Sequence, residues 1–219
     1  MDWTFTVIRE NFAFFMRGLL LTFELTLLIM VLGMISGLVL ALMRHSHTWY
    51  LRYPSMLAIE AVRGTPVIML VFWFFFLIPA FLGPTPAIVS GVTALVIFNA
   101  GYIAEIVRGG INSVDAGQVE AARSTGMNSW YTNRHIVLPQ ALQNMTPALI
   151  NQAVMLFKTT SILFIIGVIE FFRVAVMVNN REFASYEIFL FVGIVYLIPT
   201  TILSRYSRVL ESRWAKART

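Results

Sequence analysis

The chain has 219 residues, 58% of them hydrophobic and 12% charged, with a mean hydropathy of +0.76 and a formal net charge of +5. A soluble domain carries about a quarter charged residues, so this composition belongs in lipid and argues against an ordinary soluble enzyme or binding module. The absence of cysteine excludes disulfides, thiolate metal sites and a cysteine nucleophile, and the basic residues are dispersed among apolar runs, which fits membrane topology better than nucleic acid.

Residues 1–17 carry Trp3, Phe5, Phe12, Phe14 and Phe15 and read as an interfacial N-terminal segment. Residues 18–43 hold one ionisable group, Glu24, and form the first predicted span. That run is longer than the apolar part of a signal peptide and follows residues of both charge signs, so it is expected to stay in the mature protein. Gly33 and Gly37 within it make a pair of small residues four apart, suited to close helix packing. His45 and His47 follow in a short basic loop. Zinc needs three or four converging ligands, so these histidines read as part of a solvated loop.

No charged residue occurs from 64 to 104, whereas one helix needs only about 20 residues to cross the hydrocarbon. The stretch IPAFLGPTP at 78–86 supplies the break, giving spans at 57–78 and 87–107. Glu60 with Arg63, and Glu105 with Arg108, stand three apart and read as structural ion pairs. Asn99, in the third span, either lines a cavity or bridges two helices. A fourth span is predicted at 144–167 and a fifth at 187–203. Five spans put the termini on opposite sides. With the N-terminus outside, eleven Lys and Arg fall inside and four outside, the distribution expected for a cytoplasmic C-terminus. The loop at 108–139 is then cytoplasmic. The outer loop at 169–186 is either a docking surface or plain solvated chain.

The 108–139 loop is polar and helix-forming. Asp115 with Gln118 three places on resembles a capping box, and Glu120, Ala121, Ala122 and Arg123 favour helix. Gly126 supplies a left-handed helix stop, and Asn128 or Ser129 caps a second helix carrying Trp130, Tyr131 and Ile136. Pro139 is placed to open the next span. The chain cannot be its own motor. A phosphate-cradling P-loop ends in Gly-Lys, and the only lysines, Lys158 and Lys216, follow Phe157 and Ala215. HExxH, GxSxG and paired-carboxylate motifs are missing too, so no membrane-embedded enzyme is indicated.

Glu120, Ala121 and Ala122, then Gly126, Ile136, Leu138 and Pro139, match without a departure the spacing of a known loop. This resembles the EAA loop of the membrane subunits of bacterial ABC importers. VRGTPVIML at 62–70, GYIAEIVRGGINSV at 101–114, LPQAL at 138–142 and LINQAVMLFKTTSI at 149–162 look like the polar amino acid uptake permeases, so the resemblance covers nearly the whole chain. It implies an all-α membrane protein with a five-span type I importer fold, the whole of 1–219 being one permease domain in a bacterial inner membrane. It implies as partners an ATP-binding subunit dimer, a second permease subunit (identical or homologous), a periplasmic amino-acid-binding protein and membrane lipid. Glu120, Ala121, Ala122 and Gly126 would couple to the ATPase subunit, where ATP and Mg would bind. No cofactor is expected on this chain.

Lys158 lies in the fourth predicted span, where a charge costs about 2.5–3.5 kcal/mol on insertion scales. Such a group faces a cavity or snorkels to the interface. Asn151, Gln152, Thr159, Thr160 and Ser161 surround it in sequence, which favours the cavity. By the resemblance, Lys158 would meet a substrate carboxylate and Thr160 and Ser161 would donate hydrogen bonds, with Asn99 and Gln152 in the same polar set. Many relatives have an acid directly after this lysine, and here Thr159 stands there. The more positive site, and WFFFLIP at 73–79, which looks like the acidic amino acid permeases, favour glutamate or aspartate over glutamine, histidine or arginine. A stand-alone secondary transporter or channel is the competing reading. Transporters of that kind usually show an internal repeat, none is visible, and five spans do not divide into equal halves.

Overall fold

The structure is a computed structural model that describes residues 5–216, and among the described residues it is helical with no strand. A short helix α1 (Thr6–Glu10) leads into α2 (Phe12–His45), followed by α3 (Trp49–Gly64), α4 (Val67–Leu82) and α5 (Ala87–Asn112). Two small helices, α6 (Ala116–Ser124) and α7 (Ser129–Thr132), precede α8 (Leu138–Thr159), α9 (Phe171–Glu182) and α10 (Ser185–Lys216). Among the described residues, four helical runs are long and apolar enough to cross a membrane, at Phe12–His45, Ala87–Asn112, Ser129–Ile166 and Ser185–Trp214. The bent pair α3–α4 makes a fifth span if counted as one. Of the anticipated interfacial segment, residues 1–4, Trp3 among them, lie outside the described residues. Phe5 precedes α1, and Phe12, Phe14 and Phe15 fall in the first turn of α2, where Phe15 is fully buried.

The centre of the fold is the contact between α2 and α5. Along α2, Gly18, Thr22, Leu25, Ile29, Gly33, Gly37 and Ala41 are buried, a stripe three or four residues apart on one helical face. Gly33 and Gly37 let α5 approach closely. A Cβ at Gly37 would lie 2.6 Å from that of Ile103 and 2.8 Å from the Ala100 carbonyl, and one at Gly33 would overlap the Asn99 amide. The pair is therefore a packing device, as its spacing indicates. The opposite face of α2, with Leu20, Leu27, Ile35 and Leu42, is exposed and suited to lipid or a second subunit.

Three differences from the sequence expectation have identifiable causes. The expected straight span at 57–78 is two helices meeting at 110°. Pro66 forces Thr65 into extended backbone (φ −97°, ψ 134°), which ends α3 one residue earlier. The fourth helical run begins well before residue 144, because a π-turn at Asn133–Val137 joins α7 to α8. The Leu138 amide there bonds back five residues, to the Asn133 carbonyl. Pro139, next in line, has no N–H to donate and crowds the carbonyl four residues back, and a widened turn accommodates it. Thirdly, the segment at 169–186, expected as a loop, contains the amphipathic helix α9. Its buried Phe171, Val174, Ala175 and Val178 pack with Phe15, Ile188 and Val192. Buried Glu170 caps it by accepting from the Phe172 and Arg173 amides, at 2.8 and 2.7 Å. Burial pushes this carboxyl up to about 7 in spite of those bonds.

Candidate coupling loop and transport groove

The polar loop between α5 and α8 is built by its caps. Asp115 accepts from the Gly117 amide at 2.8 Å and starts α6. The anticipated return bond from Gln118 is absent among the described residues, so the capping box is half made. Asn128, not Ser129, caps α7, accepting from the Tyr131 amide at 2.9 Å. Between the two helices Gly126 takes a left-handed φ of 86°. Its amide bonds to the Arg123 carbonyl at 3.0 Å and the Met127 amide to the Ala122 carbonyl at 3.2 Å, a Schellman stop. Ala122 is buried beneath the turn, whereas Glu120, Ala121 and Gly126 face outward. Trp130 and Tyr131 are also exposed, at 63% and 52%. The Arg134 guanidinium sits 5.7 Å from the centre of the Trp130 ring. Trp130, Arg134, Val137 and Leu138 edge a hollow of about 380 Å³ that reaches His45 and Ile111 at the ends of α2 and α5.

The loop springs from a firmly tied end of the bundle. Glu105 is bonded to Arg44 of α2 and, at 2.9 Å, to Arg108, with Arg63 of α3 at 3.6 Å. The Glu105–Arg108 pair is as expected, and its carboxylate also gathers three helices. The Glu60–Arg63 pair is not formed. Among the described residues Glu60 has no ion-pair partner, and Arg63 turns to Glu105 and to the face of Tyr102 instead. At the start of the loop Ser113 accepts from the Asn144 side chain of α8 at 2.6 Å.

Far along α8 the residues expected to bind substrate fall on different faces. Lys158 is exposed in the last turn of α8 and lines an open groove of about 430 Å³ with Val67, Met155, Thr159, Ser161, Phe164 and Phe172. Ser161 stands on the same side and donates to the Lys158 carbonyl at 2.7 Å. Thr160 does not reach the groove: it is fully buried and donates to the Phe157 carbonyl at 2.8 Å. Asn99 and Gln152 are buried as well, and the Gln152 amide donates to the Asn99 carbonyl oxygen at 2.8 Å, joining α5 to α8. Helical rotation of about 100° per residue explains the division, because positions two or six from Lys158 face away while a position three on returns to its side. Thr159, Met155, Phe164 and Phe172 line the groove, and only Thr159 stood out in the sequence. The groove has no carboxylate among the described lining residues.

With this geometry in view, comparison with known proteins is decisive about lineage. Residues 12–216 match the family described as binding-protein-dependent transport system inner membrane component. The chain is 32% identical over 222 residues to the glutamate/aspartate import permease protein GltK of Escherichia coli O6:H1, covering 98% of each chain. It is 33% identical over 215 residues to the octopine transport system permease protein OccM of Rhizobium radiobacter, covering 94% of this chain and 87% of the relative. Its backbone superposes with a TM-score of 0.91 on a solved amino acid ABC transporter crystallised with histidines, at 32% identity, covering 97% and 100% of the two chains. The fold is the type I ABC importer permease fold, and the chain belongs to the inner-membrane permease components of binding-protein-dependent amino acid ABC transporters.

Proposed function

We propose that this chain imports an acidic amino acid, glutamate or aspartate, and that its α6–α7 loop receives the motion of a separate ATPase subunit. The observation that carries the substrate class is the Lys158 groove, whose one charged lining residue among those described is a cation. A substrate with two carboxylates gains from an uncompensated ammonium group, whereas arginine and histidine bring a further positive charge. Ser161 lies beside Lys158 and supplies a hydroxyl. The relatives differ in what they carry, glutamate/aspartate for one and octopine for another, which leaves the discrimination to side chains such as those of this groove. Because the groove is open on one side, a second permease subunit would close it.

Glu120, Ala121 and Gly126 form the surface that docks on the ATPase, with Ala122 packed beneath them and ATP and Mg held on the ATPase rather than on this chain. The outward-facing Trp130 and Tyr131 support a protein contact, since large exposed aromatics beside a helix stop form an adhesive patch. The loop face is cytoplasmic in this reading, and the opposite face receives a periplasmic binding protein in a bacterial inner membrane. Proteoliposome uptake of radiolabelled glutamate, aspartate, glutamine, histidine and octopine, each with its loaded binding protein, tests the assignment. Glutamate and aspartate should exceed the others at least tenfold. Equal or better uptake of histidine would refute the acidic reading while leaving the importer reading intact.

A further inference from the structure

At the loop end of the bundle, the last turns of α2 and α5 and the first turns of α3 enclose a second cleft, of about 420 Å³. Arg44, His45, His47, Arg52, Arg108 and Asn112 line it, and no carboxylate is among the lining residues described. Glu105 stands behind the cleft and engages Arg44 and Arg108, which holds their guanidinium groups in place. Arg52 has no ion-pair partner among the described residues and is exposed, as are His45 and His47. Several guanidinium groups around one concavity suit a phosphate: Arg52 can give it paired hydrogen bonds, and Arg44 and Arg108 add the N–H groups and positive charge not taken up by Glu105.

The surroundings select the source of that phosphate. Trp49, Tyr50 and Tyr53 project beside the cleft at 71%, 62% and 60% exposure, and Leu57 continues their face at 69%. Amphipathic rings of this kind sit at the headgroup level of a bilayer, whereas a soluble anion has no use for such a collar. The Lys158 groove shares no lining residue with this cleft, so the two sites are separate. We infer that this cleft binds the phosphate of an anionic membrane lipid, held by Arg52, Arg44 and Arg108 and steadied by the Trp49–Tyr53 collar. Basic pockets between helix ends on the positively charged side of a membrane protein are suited to such headgroups. The bound lipid would bridge α2, α3 and α5 close to where the loop hollow meets His45 and Ile111.

Native mass spectrometry of the full chain in detergent, with phosphatidylglycerol or phosphatidylcholine added, tests this without reference to transport. The wild-type chain should retain phosphatidylglycerol preferentially. Arg52→Gln should lower that preference about fivefold, from about 1 kcal/mol per basic residue at a lipid surface. Arg52→Gln with His47→Gln should lower it further, and Arg9→Gln on α1, which precedes the opposite end of α2, should leave it unchanged. Arg52 makes no ion pair among the described residues, and unaltered thermal unfolding of Arg52→Gln would show that the loss is local. Unchanged phosphatidylglycerol retention in the double variant would overturn the proposal. So would complete displacement of the lipid by millimolar inorganic phosphate, which would mark a soluble-anion site. Loss of ATPase-subunit co-purification in Arg52→Gln with lipid retention intact would assign the cleft to protein contact and overturn it equally.

Discussion

Replacing Gly126 by valine should reduce ATP-driven uptake to less than about a tenth of wild type while the complex still assembles. The backbone at Gly126 has φ 86°, a region costing an L-residue with a Cβ about 1–2 kcal/mol, and more for a β-branched one. Nothing crowds the position, so the penalty is conformational rather than steric. It falls on the turn that orients Glu120 and Ala121 against Trp130 and Tyr131. An energy of 1–2 kcal/mol shifts the balance between two turn geometries by about 5–30-fold. Gly126→Asn, whose side chain tolerates the left-handed region, should keep a substantial fraction of activity. Uptake assays alongside co-purification of the ATPase subunit separate the outcomes. Wild-type uptake by the valine variant would remove the turn from the mechanism.

Lys158→Ala should raise the half-saturating glutamate concentration by at least tenfold in uptake or in substrate-stimulated ATPase activity. A hydrogen bond to a charged group contributes about 1.5–3 kcal/mol, and 1.4 kcal/mol corresponds to a factor of ten. Lys158→Met keeps most of the apolar stem and removes the charge. If Lys158 binds a carboxylate, methionine should behave like alanine. If its stem merely covers apolar surface on the way to the interface, methionine should behave like wild type and the substrate role fails.

These two sites differ in how plainly the sequence shows them. The loop is legible because its signals are local. Asp115, Gly126 and Asn128 determine caps and a stop through their own backbone bonds, and each appears where its residue type suggests. The spans are legible through apolarity, but their ends are not, because a helix continues past the hydrocarbon as long as its backbone bonds can be made. Thus α10 carries Arg205, Arg208 and Arg213 in unbroken helix. The bend at Thr65–Pro66 was written in the proline, although a continuous apolar run concealed it. The π-turn before Pro139 depends on how α7 and α8 join, which no single residue states. Helix α9 had a visible 171, 174, 175, 178 stripe, overshadowed by the polar residues around it.

The Lys158 groove was half legible. Lys158 announces itself as an intramembrane charge, and the rotation per residue on α8 is enough to place Ser161 with it and Gln152 away from it. Asn99 and Gln152 are distant in sequence, and only the close approach of helices at Gly33 and Gly37 brings α2, α5 and α8 together around their shared bond. Such pairings belong to the tertiary fold.

The proposed function requires that transport be powered by another subunit. Uptake should therefore be measured in proteoliposomes containing this chain alone, and this chain with the ATPase subunit and loaded binding protein, with ATP enclosed or omitted. Uptake is expected in the complete system with ATP, and none from the chain alone under any ion gradient. Sustained, concentrative uptake by the isolated chain would contradict the proposed function.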